Sequence, residues 1–142
     1  MKPDDIEMCI ETYRSAYGAE PWREEYTEAE VRKYLTEFME AGSTHCYVQT
    51  ENGNICGLAL TILIPGIGAP YLRIEDFCIA AEYHRMGLGS RFLQELTEKA
   101  RKMECDSLLL GTQRGFPAHR FYLKNGLQEI ESVLMYRETE QK

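Results

Sequence analysis

Apolar positions near the start of the chain recur at helical spacing. Ile6, Cys9, Ile10, Tyr13, Ala16 and Tyr17 share one stripe, which predicts a first helix. The stretch GAEPW ends it. Thr27 and Glu30 then stand in capping-box spacing. They precede Val31, Tyr34, Leu35 and Phe38, the apolar stripe of a second helix that EAGS closes. The pattern then changes to strands. THCYVQT and ICGLALTILI flank Asn52-Gly53, a strong short hairpin signal, and PGIGAP turns the chain into a third strand, YLRIEDFCIA.

Beyond that strand the helical period returns. Leu88, Phe92, Leu93, Leu96, Ala100 and Met103 form the apolar side of a long helix. SLLLGT is short and continuously apolar, as a buried parallel strand would be. PAHRFYLKNG predicts a short helix closed by Asn125-Gly126, and LQEIESVLMYRE predicts a last pair of strands around Glu131-Ser132. The order α-α-β-β-β-α-β-α-β-β joins antiparallel hairpins to one βαβ unit. It predicts a mixed α/β (α+β) fold, with a largely antiparallel sheet and helices on both faces.

The length of 142 residues fits a single domain spanning 1–142. No apolar run reaches the roughly 18 residues of a membrane helix, and the first residues have no signal-peptide layout, so a cytoplasmic protein without membrane partners is expected. Cys9, Cys46, Cys56, Cys78 and Cys105 are odd in number and lack a CxxC pair, and the histidines do not pair with them. Reduced thiols are expected, with no metal site. Net charge is −7, and residues 1–40 hold eleven Asp/Glu against five Lys/Arg. That balance disfavours nucleic acid as a partner. It suits a cationic small molecule or a basic peptide, or simply a solubilising surface. An apolar strand near the C terminus could also pair two chains as a homodimer.

The strand-to-helix junction EYHRMGLGSRFL carries Gly87 and Gly89 two residues apart. A helix's first turn offers unbonded N–H groups and partial positive charge, and residues without Cβ let a phosphate come close. The stretch from Arg85 to Ser90 can therefore hold a pyrophosphate, with Arg85 adding charge, or it is a turn that only requires glycine. It is not the dinucleotide fingerprint, which needs glycine where Phe92 stands, nor a Walker loop. In a right-handed βαβ arrangement the next helix starts at the same sheet edge, so Tyr122 either faces that ligand or fills the core.

Together these stretches resemble the GNAT superfamily of acetyl-CoA-dependent N-acetyltransferases. EYHRMGLGSRFL is similar to its pyrophosphate motif, with His84 at the position usually Gln or Arg. AHRFYLKNGL is similar to its downstream tyrosine helix, and ENGNICGLAL to its second hairpin, with Gly57 at the usual glycine. The resemblance runs from about Thr44 to Arg137. It implies a splayed central parallel strand pair, acetyl-CoA as acetyl donor, and a primary amine as acceptor. It also leaves room for a non-catalytic acyl-CoA-binding sensor or regulatory module on the same fold.

The resemblance assigns roles to particular residues. Arg85, Met86, Gly87, Leu88, Gly89 and Ser90 would hold the diphosphate, main-chain groups of Phe77 and Ile79 the pantetheine arm, and Lys124 a further phosphate. Glu75 would be the base, directly or through water, because an amine near pKa 10.4 must lose a proton before attack. Asp76 is the alternative if a bulge exchanges the two. Tyr122 would protonate the departing thiolate. Trp22 and Tyr26, with Tyr17, Glu20, Glu24, Glu25 and Glu75, are candidates for the acceptor wall, an aromatic and acidic lining that suits a cation. Cys78 invites an acyl-cysteine route, but no histidine is placed to activate it. Direct attack in a ternary complex is therefore expected.

Overall fold

The computed structural model describes residues 1–140. They fall into two compact units, Met1–Gly111 and a second beginning at Thr112. In the first unit α1 (Ile6–Gly18) and α2 (Glu28–Glu40) precede β1 (Thr44–Glu51), β2 (Asn54–Ile64) and β3 (Tyr71–Ile79). Then follow α3 (Leu88–Lys102) and β4 (Ser107–Leu110). The sheet order is β1-β2-β3-β4, antiparallel except for the parallel β3–β4 pair.

The sequence patterns become contacts in direct ways. Thr27 caps α2 by accepting from the Glu30 amide at 3.1 Å, and Glu30 returns the bond to the Thr27 amide at 2.8 Å. Asn52 and Gly53 both take positive φ, as the tight β1–β2 turn requires. The stripe predicted for α3 is the buried one: Leu88, Phe92, Leu93, Leu96 and Ala100.

Helices cover both faces of the sheet. Leu58, Leu60 and Cys78 pack with Cys9, Ile10, Val31 and Leu35 of α1 and α2. Neighbouring side chains of a strand point oppositely, and Phe77 stacks on Phe92 of α3 at 5.2 Å. Leu35, Leu58 and Leu60 are fully buried. Each removes apolar surface worth about 1.5–3 kcal/mol from water. Gly57 sits where β1, β2 and β3 close tightly, so a side chain there would crowd its neighbours. A Cβ would lie 2.6 Å from the Ile79 side chain and 3.0 Å from Gln49 Cβ.

In the second unit α4 (Pro117–Lys124) ends in a Schellman turn. Gly126 has φ +89°, and the amides of Gly126 and Leu127 bond Leu123 O and Tyr122 O at 3.2 and 3.0 Å. The expected last pair of strands is absent among the described residues. From Leu127 to Glu140 no strand forms, and Ile130, Val133, Leu134, Met135 and Tyr136 are all exposed. The apolar run there lacks the alternation that gives a strand one buried face, and strand propensity supplies no ladder partner. In consequence β3–β4 lies at one side of the sheet rather than at its centre.

The five cysteines are free thiols. No helix among the described residues is long and apolar enough to cross a membrane. No group of three or more His, Cys, Asp or Glu among them could hold a metal ion.

Candidate active site

Strand β3 leads into the candidate site. Its pairing with β4 begins at Tyr71–Ser107 and stops at Ile74–Leu110, while β3 itself runs on to Ile79. After a short 3-10 turn, Arg85 (φ +65°) and Gly87 (φ +77°) take left-handed backbone conformations. For Gly87, the residue preceding α3, this conformation is cheap because there is no Cβ. No side chain caps α3, and its first turn holds no acidic residue. The amides of Leu88, Gly89 and Ser90 thus open a helix whose first turn has neither a side-chain cap nor an acidic residue of its own. Arg85, Met86 and Ser90 are exposed beside it, and Leu88 is buried as the anchor.

Two contacts hold this turn. The ring of His84 bonds the Ile79 carbonyl through Nε2 at 2.7 Å, so His84 ties the loop to the end of β3. The Ala81 amide donates to Ser15 Oγ at 3.0 Å, and Ser15 donates to Glu82 at 2.8 Å, which fastens the turn to α1.

A bulge decides where the two carboxylates of β3 lie. Leu60 of β2 pairs with Asp76 and Thr61 pairs with Ile74, leaving Glu75 as the extra residue. Alternation restarts after the bulge. Asp76 and Cys78 therefore share the α1/α2 face with their partners Leu60 and Leu58, while Phe77 and Ile74 face α3. Glu75 stays exposed, its Oε1 2.5 Å from Arg73 Nε.

Asp76 is sheathed in phenols. Tyr17 and Tyr13 donate to Oδ1 at 2.9 and 3.4 Å, and Tyr34 donates to Oδ2. Their rings cluster. Tyr13 lies 4.6 Å from Tyr17, 6.0 Å from Tyr26 and 5.9 Å from Tyr34, and Tyr17 lies 6.2 Å from Trp22. Burial pushes the Asp76 carboxyl above the usual range, against the downward pull of the phenol bonds. Burial likewise raises the hydroxyls of Tyr13, Tyr17 and Tyr34, which stay protonated as donors.

Of the residues named for an acceptor wall, Tyr17 lies beside Trp22, and Tyr26 joins the same cluster through Tyr13. Glu20, Glu24 and Glu25 are exposed, and Glu20 pairs with Arg23. Sequence reasoning missed Tyr13 and Tyr34, which it counted only as stripe residues. The available signal was Tyr13 and Tyr17 one turn apart. Cys78 is buried, and burial drives its thiol above the ordinary value, which disfavours the thiolate near neutral pH.

In the second unit Tyr122 is buried within α4, edge-on to Phe121 at 5.2 Å, and Lys124 is exposed at the helix end. His119, one turn before Tyr122, accepts the Gly115 amide at Nδ1 (3.1 Å). The ring proton therefore sits on Nε2, which donates to Glu129 at 2.6 Å.

A mixed sheet whose third strand outruns its parallel partner and enters an uncapped helix defines an α/β protein with an open helix start beyond the end of that strand. The profile of the Acetyltransferase (GNAT) family matches residues 6–127, and the chain belongs to that family. Solved structures share the fold. A protein of Agrobacterium tumefaciens str. C58 that bears the name "Putative acetyltransferase" is 24% identical, with 97% of this chain and 96% of that one covered at TM-score 0.78. A transcriptional regulator of Bacillus halodurans C-125 is 18% identical, with the same coverage and TM-score. AAC(6')-Iy, solved with the bisubstrate analogue CoA-S-monomethyl-acetylneamine, is 14% identical, with 98% and 95% covered at TM-score 0.75. One fold carries differently named functions, so the choice of acceptor rests on this chain's own residues.

Proposed function

We propose that this acetyltransferase-family protein moves an acetyl group from acetyl-CoA to a primary amine, by direct attack in a ternary complex, as one functional domain acting in the cytoplasm. The observation that carries the reading is the departure of β3 from β4 after Ile74, followed by the open first turn of α3. The diphosphate of acetyl-CoA would sit on the amides from Gly87 to Ser90, with Arg85 and Met86 flanking it and Lys124 offering a further charge. The pantetheine arm would run along the main chain of Phe77 and Ile79, as an added strand does. The Ile79 carbonyl already accepts from His84, so His84 fixes the geometry of that edge. The free thiols support a reducing compartment.

In the reaction the amine nitrogen, once neutral, attacks the thioester carbonyl. Its proton passes to Glu75, directly or through water, and the carbon–sulfur bond breaks as the tetrahedral intermediate collapses. The thiolate takes a proton from Tyr122, a role that rests on the motif around it. A phenol near pKa 10 can give a proton to a thiolate whose acid is near 8.5 at modest cost. The acceptor class is cationic. The acid-rich N-terminal region and the cluster of Trp22, Tyr26 and Tyr17 support it, and the CoA–aminosugar analogue bound by AAC(6')-Iy is chemistry of the same kind.

The test is thiol release from acetyl-CoA across cationic, neutral and peptide amines. Release with cationic amines is expected. Acetyl-CoA that stabilises the protein against heat without any thiol release would replace the enzyme with a binding module. Stabilisation by ATP or NAD but not CoA would overturn the cofactor.

A further inference from the structure

The Asp76 carboxyl is half-buried, and no ion pair joins it to a cation among the described residues. Its described partners are the hydroxyls of Tyr13, Tyr17 and Tyr34. Arg73, three residues earlier on the same strand, is engaged with Glu75. Carboxylates withdrawn from water are ordinarily paired with a cation or a metal. Here the second carboxylate, Glu75, stands next in sequence and adds to the negative potential. Each phenol oxygen that donates to Asp76 keeps acceptor capacity of its own. The surrounding rings of Tyr13, Tyr17, Tyr26 and Trp22 present faces that attract cations. The cluster opens to solvent through Tyr34 and Tyr26, which are 36% and 37% exposed.

We infer that Asp76, sheathed by Tyr13, Tyr17 and Tyr34, is a binding site for an organic ammonium group, and that it holds a second, non-reacting cation of the acceptor. This inference rests on the amine acetyltransferase reading and narrows its substrate class to diamines and longer polycations. The site cannot serve the reacting nitrogen. A carboxylate ringed by acceptor oxygens favours the charged ammonium and opposes the loss of its proton, whereas the attacking amine must be neutral. The reacting nitrogen belongs with Glu75, whose side chain is 33% exposed and can pass a proton to water. The bulge gives adjacent carboxylates separate tasks, one holding charge and the other removing a proton.

The experiment compares a linear diaminobutane with the aminobutanol of equal length, which keeps the reacting amine and loses the second charge. Wild type should favour the diamine by about tenfold or more in kcat/KM, the scale of one charge-assisted contact. Asp76→Asn should erase that preference by raising KM for the diamine more than KM for the aminobutanol. Tyr34→Phe should reduce the preference in part. Thermal stabilisation by acetyl-CoA reports that each variant is folded with its cofactor site intact. Equal use of both acceptors by wild type overturns the inference. So does an Asp76→Asn protein that loses stability yet keeps the preference, because the cluster would then only tie the helices to the sheet. Calorimetric titration with diaminobutane decides the matter even if no amine is acetylated. Binding by wild type that Asp76→Asn abolishes supports the cation site while the acetyltransferase reading fails, and no binding by wild type overturns the site.

Discussion

Two helices of the same unit begin in opposite ways. At α2 the open amides are met from within: Thr27 accepts from the Glu30 amide, and Glu30 accepts from Thr27. Acidic Glu28 and Glu30 also face the positive end of the helix. At α3 a left-handed glycine precedes the first turn, no side chain caps it, and its first turn holds no acidic residue. Both ends have the same need for acceptors. A helix whose only task is to be stable satisfies that need with its own residues, as α2 does. A helix left open at the end of a strand that has parted from its neighbour has amides free to take an acceptor from outside, as the proposed function requires.

The comparison predicts that α3's start holds the cofactor and performs no chemistry, so the largest effect on rate should come from elsewhere. Tyr122→Phe should lower kcat by roughly 100-fold, the scale of a lost general acid. Acetyl-CoA should still raise the variant's melting temperature as it does for wild type. Wild-type turnover in the variant would remove Tyr122 from the reaction.

Closing the open helix tests the contrast itself. Gly87→Asp places a carboxylate where α2 has its cap, in a left-handed conformation that Asp tolerates better than most residues. Acetyl-CoA affinity should fall by about thirtyfold, near 2 kcal/mol, through a competing acceptor and like-charge repulsion. Unchanged affinity by calorimetry would place the diphosphate elsewhere. Glu75→Gln should act more narrowly. The rise of kcat/KM with pH should flatten, because the proton then leaves to solvent unaided. A profile identical to wild type would hand the base to another group.

The helices and the first hairpin were legible because each follows a local rule. The Thr27–Glu30 spacing, the Asn52-Gly53 pair and the α3 stripe need only nearby residues, and each reappears in the structure. What lay outside local rules was less legible. Strict alternation along β3 would put Glu75 on the face of Phe77 and Asp76 on the face of Ile74. The bulge opposite Leu60 and Thr61 breaks both groupings and leaves Asp76 with Cys78 toward α1 and α2. A bulge is fixed by the partner strand, which alternation within one strand cannot reveal. The Asp76 cluster was hidden for the same reason, since Tyr13, Tyr34 and Asp76 come from three elements that only tertiary packing unites. The last strands failed differently: the apolar residues from Val133 to Tyr136 suggested a strand, but none forms there.

The smallest effect should come from opening the closed helix. Thr27→Ala removes the acceptor for the Glu30 amide and should cost about 1 kcal/mol of stability. It should leave acetyl-CoA affinity unchanged. The pH dependence has a definite sign. Hydrogen bonds from the Thr27 amide and hydroxyl hold the Glu30 carboxyl below its usual value. The stabilisation this gives is present above the ordinary carboxylate range and is lost as pH falls through the lowered folded value. The gap in melting temperature between Thr27→Ala and wild type should therefore be wider at neutral pH than in acid. If the gap stayed constant, the Glu30 arm of the cap would contribute nothing. If the variant also lost acetyl-CoA binding, α2 could no longer stand as the purely structural counterpart of α3.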